Sequence, residues 1–109
     1  MELTKPEKRH ARALIDQSLE KEFVIGLKQF DGILQEWKDG KNVRESYYAI
    51  FTAVKNFDKH IASRYDDQSN STLIFVIIAL FREKLISEED LNGFEETTVQ
   101  RIKRWVEED

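Results

Sequence analysis

The chain has 109 residues, a length that suits one domain around one core. Hydrophobic residues make up 40% and aromatics 11%, which excludes global disorder. With 17 basic and 21 acidic residues the net charge is −4, which argues against generic nucleic-acid binding, and the absence of cysteine excludes disulfides, thiolate catalysis and cysteine-ligated zinc. This composition suits a reducing cytoplasm. The first residues, Met1 to Lys5, lack the apolar stretch of a secretory signal. The longest apolar run, Leu73 to Phe81, is nine residues against roughly 20 for a bilayer-crossing helix, so it reads as a buried core helix and no membrane is expected.

In chain order, Thr4 and Glu7 have capping-box spacing around Pro6, the sole proline, which a first helical turn tolerates. A first helix is predicted to run to about Trp37. Phe23, Leu27, Phe30, Leu34 and Trp37 recur at helical spacing and form its expected core stripe, continued less cleanly by Ala11, Ile15 and Leu19 upstream. Gly26 and Gly32 each weaken a helix by about 1 kcal/mol relative to alanine, so a bend or break between Ser18 and Gly26 is allowed. Unbroken, this helix is about 50 Å long, and its overhang needs a bend or a partner.

Asp39 to Asn42 reads as a turn, and Asn42 with Glu45 repeats the capping pattern. The second helix is expected over Val43–Tyr65, with Tyr47, Phe51, Val54, Phe57 or Asp58, Ile61 and Tyr65 on one face. Residues 66–71 form a polar loop. The third helix is expected from Thr72 to about Leu85; its β-branched run would suit a strand, but no second strand exists to satisfy a lone strand's backbone. Ser87 is the expected N-cap of the fourth helix, with Glu88, Glu89 and Asp90 at its positive end and Ile86 and Leu91 as a hydrophobic staple. Short connections then predict an all-α, antiparallel up-down four-helix bundle with a long first helix, as a single domain over residues 1–109.

Chemistry-bearing patterns are scarce. His10 and His60 are the only histidines, and Glu7-His10 supplies one Glu-x-x-His where a di-iron bundle needs two, so no metal site is expected. There is no Gly-x-Ser-x-Gly elbow and no glycine-rich phosphate loop. The carboxylate pairs Glu88-Glu89 and Glu95-Glu96 read as solvated. No catalytic or cofactor-binding residue is expected. Two basic clusters, Lys5, Lys8, Arg9 and Arg12, and Arg101, Lys103 and Arg104, form either an anion-binding patch or a surface neutralised by the acidic tail Glu107-Glu108-Asp109; the second reading is favoured. Trp37, Trp105 and the adjacent Tyr47 and Tyr48 are interface candidates, since neighbouring tyrosines point about 100° apart on a helix.

The stretch Arg44 to Ala53, with its Tyr47-Tyr48-Ala49-Ile50-Phe51, resembles the second-helix signature of the HEPN superfamily. Val76 to Glu83 and Leu85 to Glu89 look like that family's third helix and the start of its fourth, so the likeness spans about Arg44 to Trp105. The resemblance implies a four- or five-helix bundle, often dimeric, that binds nucleotides or RNA, acts as a ribonuclease toxin or partners a nucleotidyltransferase. It makes Tyr47, Tyr48, Arg101 and Arg104 candidate anion or nucleotide contacts. The family's ribonuclease motif places a histidine after an arginine in the last helix; none follows Arg101 or Arg104, and Glu45 stands where the family arginine aligns. The sequence therefore favours a non-enzymatic helical interaction module, expected to be a homodimer through Val24, Ile25, Ile33 and Trp37, or to bind another protein. The alternative is a HEPN-like nucleotide- or RNA-binding protein with degenerate catalysis.

Overall fold

The computed structural model describes residues 2–66 and 69–107. Asp67 and Gln68 of the expected loop, and Glu108 and Asp109 of the acidic tail, lie outside the described residues. The described chain is helical with no strand: α1 spans Lys5–Lys38, α2 Val43–Tyr65, α3 Leu73–Arg82 and α4 Glu96–Glu107, with a 3₁₀ turn at Glu89–Gly93 before α4. Among the described residues no helix is long and apolar enough to cross a membrane. The chain forms two compact units, residues 1–19 with 67–109 and residues 20–66, and α1 contributes to both.

α1 starts as a reciprocal capping box. The Glu7 backbone N–H donates to Thr4 Oγ1 at 3.2 Å and the Thr4 N–H to Glu7 Oε1 at 3.0 Å. The helix then runs without the break its glycines allowed. It closes in a Schellman motif: Gly40, at φ +114°, donates its N–H to the Trp37 carbonyl, and Lys41 donates to Glu36. Asn42 caps α2 by accepting from the Glu45 N–H at 3.0 Å, as its spacing predicts.

In the first unit the core is aliphatic. Ala11, Leu14 and Ile15 of α1, Leu73, Ile77 and Leu80 of α3, and Ile102 of α4 are buried there. The apolar run at Leu73 to Phe81 is thus a core helix. It ends earlier than expected. Lys84 takes a left-handed backbone at φ 63°, with Lys84 N–H donating to the Phe81 carbonyl and Leu85 N–H to the Leu80 carbonyl, a second Schellman motif.

The fourth helix also differs from expectation. Ser87 does cap, through Asp90 N–H to its Oγ at 3.3 Å and its own N–H to Asp90 Oδ2 at 2.8 Å. What it caps is the 3₁₀ turn. At Phe94 the backbone becomes extended, and α4 begins afresh at Glu96. The break brings Leu91 and Phe94 both into the core from separate segments.

Candidate functional site

The unit of residues 20–66 is a helical hairpin. Glu22 meets Arg64, Phe30 meets Phe57 at 5.8 Å between ring centres, and Trp37 and Val43 line one groove, so the two helices of the hairpin run antiparallel. Glu22, Gly26 and Ser46 are buried along the line of contact, with Tyr65 at its far end. Gly26 lies beneath the Phe57 ring, where an added Cβ would come within 2.7 Å of it. This close approach, rather than flexibility, explains a glycine inside the helix.

The predicted core stripe of α1 is not a core in the chain by itself. Phe23, Leu27, Leu34 and Trp37 are exposed, Leu27 at 65%, and Phe30 is half-buried. The α2 stripe behaves alike: Tyr47, Phe51 and Val54 are exposed, Phe57 and Ile61 half-buried, and only Tyr65 is buried. The physical reason is that two helices share only one line of contact, and here small residues occupy it. At 100° per residue, Phe23, Leu27 and Leu34 fall to one side of that line on α1. Val43, Tyr47, Ile50 and Val54 fall to the same side on α2. There a groove of about 250 Å³ opens between Ile33, Leu34, Trp37, Val43, Tyr47 and Ile50. The buried Ser46 Oγ in its lining has no hydrogen-bond partner. The groove on the other side of the hairpin is mixed, lined by Gln29, Glu45, Thr52 and Asn56 together with Ile33, Ala49, Ala53 and Tyr48. The hairpin thus carries most of its large exposed apolar side chains on one side and a mixed polar and apolar groove on the other.

Of the expected interface residues, Ile33 and Trp37 line the apolar groove; Val24 and Ile25 are about half exposed and do not. Tyr47 and Tyr48 touch edge to face at 5.5 Å but serve opposite grooves. Arg101 lines a cavity in the other unit beside Trp105, whereas Arg104 is exposed and lines none of these hollows. Lys103, from the same basic cluster, pairs with Glu88 at 3.2 Å.

Two carboxylates are buried: Glu22, which the sequence pattern did not single out, and Glu7, expected as the capping-box partner of Thr4. Glu22, 6% exposed, takes a hydrogen bond from the Tyr65 hydroxyl, another from His60 Nε2 at 2.6 Å, and both of its oxygens lie 3.1 Å from Arg64 Nη1. Burial pushes its carboxyl up, but the bonds from Tyr65 and His60 and the Arg64 charge outweigh that and hold it below the usual carboxylate range. Burial beside this carboxylate raises the Tyr65 phenol above its ordinary value. Glu7 is the second. Its Oε2 accepts from the Glu95 N–H at 3.1 Å, so one carboxylate caps α1 and also holds the residue preceding α4. Burial opposes its ionisation, and the hydrogen bonds from Thr4, Thr98 and Glu95 more than offset it, lowering its pKa.

The histidines are both engaged in packing. His10 is half-buried. Its Nε2 donates to the Asp90 carbonyl at 2.5 Å and its ring stands edge-on to Phe94 at 4.8 Å. His60 is spoken for by Glu22. Among the described residues, no three His, Cys, Asp or Glu side chains come together as a metal would require. The chain matches no known protein family, no curated protein and no solved structure.

Proposed function

We propose that the chain is a non-enzymatic helical interaction module that works as a homodimer, joined through the apolar side of the α1–α2 hairpin. The observation that carries this reading is the cluster of exposed apolar side chains along one side of the hairpin, although Val24, Ile25, Tyr48 and Phe51 are exposed outside it. Phe23, Leu27, Leu34, Trp37, Val43, Tyr47 and Val54 are each about half exposed or more. Each leaves on the order of 100 Å² of apolar surface in water. Together they offer roughly 700 Å², close to the ~800 Å² that each partner buries in a standard-sized interface, and more than a monomer usually leaves as one patch.

A second copy is the occupant we favour. A twofold interface needs a face complementary to itself, and an apolar face with a shallow groove and protruding Trp37 and Tyr47 satisfies that need. Two hairpins packed face to face make a four-helix bundle shared between chains. Within each chain we read the helices as alternating up and down, which the short α1–α2 link supports. The lack of cysteine suits the reducing cytoplasm, where we place the module.

Leu34→Glu puts a charge into the middle of this face and should shift sedimentation equilibrium toward monomer at micromolar concentration. Thr52→Glu, in the groove on the opposite side, should not. Equal effects of the two substitutions, or none from Leu34→Glu, would remove this reading.

A further inference from the structure

The unit of residues 1–19 and 67–109 contains a cavity of about 420 Å³, within the size range of small-molecule sites. Its walls divide by chemistry. Ile74 and Ile78 of α3 are buried and supply an aliphatic side. Phe75 and Trp105 are about half exposed, and their rings stand nearly perpendicular, 84° apart with centres 5.9 Å apart. A ring face and a ring edge at right angles are the two surfaces a third flat ring prefers to meet.

The polar lining is rich in donors. Arg101, one turn before Trp105 on α4, has no ion pair or hydrogen bond among the described residues. A guanidinium carries only donors. Asn70 gives its amide oxygen to Arg12 Nη2 at 3.0 Å, which leaves its NH₂ donors for another acceptor. Ser71 adds a hydroxyl. The remaining polar group is the Glu2 carboxylate, which opposes a second negative charge on any ligand.

We propose that this cavity binds a small aromatic carboxylate, a monoanion whose ring lies against Phe75 and Trp105 and whose carboxylate is held by Arg101. Its flat apolar body matches the aromatic and aliphatic walls, and its single charge matches Arg101 while respecting Glu2. The site is independent of self-association through the hairpin.

The test uses the whole chain and indole-3-acetate as the probe, followed through the two tryptophan indole N–H resonances, assigned with Trp105→Phe. The Trp105 signal should move saturably while the Trp37 signal stays still. The neutral amide of the probe, and the Arg101→Gln variant, should each weaken binding at least about tenfold, the scale of one charge-assisted hydrogen bond. Arg101 is exposed, so the variant should keep the wild-type helical circular dichroism. A Trp105 resonance that does not move at millimolar probe, or an affinity that survives either replacement, overturns the proposal.

Discussion

Glu22 shows how a single carboxylate is kept ionised inside a helical hairpin: three side chains of α2 direct donors or charge at it. Its folded pKa is below the unfolded value, so the stability it contributes is complete above the ordinary carboxylate pKa of about 4.3 and is lost as pH falls through the folded value. Glu22→Gln should cost about 3 kcal/mol at pH 7, the scale of breaking a buried ion pair, and the gap to wild type should narrow at pH 3. Urea unfolding at both pH values measures this; a gap of the same size at each contradicts the assignment. Gly93 is a second such position. A Cβ added there would land on the His10 ring. Gly93→Ala should therefore cost about 1–3 kcal/mol, the range for overpacking. Most of that loss should vanish when His10 is also alanine, and a double-mutant cycle showing additive losses would argue against the contact.

At the level of elements, the helix starts were legible because caps are local. Thr4 with Glu7 and Asn42 with Glu45 form the bonds their three-residue spacing implies. Helix ends were less so. α3 closes on Lys84, a residue with no preference for the left-handed backbone it adopts, so composition there carries no stop signal. That conformation costs an L-residue about 1–2 kcal/mol. Lys84→Gly should raise stability by about 1 kcal/mol in thermal or denaturant unfolding, and a loss of stability would mean the turn is held differently. The break before α4 did leave a mark, since Asn92-Gly93 is a turn dipeptide. Leu91, Phe94 and Thr98 lie at helical spacing across it, and all three are buried although no single helix carries them.

For the whole molecule, hydrophobic periodicity found the helices but misassigned one face. In the first unit the aliphatic core positions are inside, as Ile15, Ile77 and Ile102 show, while Phe75 and Trp105 are about half exposed. In the hairpin the strongest stripes, Phe23 to Trp37 and Tyr47 to Val54, are largely in water, while Ser46, Gly26 and Glu22 are buried along with Tyr65. An apolar stripe states that a surface must be covered, not which chain covers it. Glu22 was overlooked for the same reason: it sits on a small and polar line with Ser18 and Gly26, four residues apart, which periodicity scans pass over. The cavity around Arg101 needs residues from about thirty to about a hundred positions apart to meet, which no local pattern encodes.

The central claim is that a second copy covers the apolar side of the hairpin, and molar mass in solution tests it most directly. Light scattering at micromolar concentration should report twice the 12.9 kDa chain mass, falling to a single chain for Leu34→Glu. A wild-type mass of one chain throughout that concentration range would contradict the account.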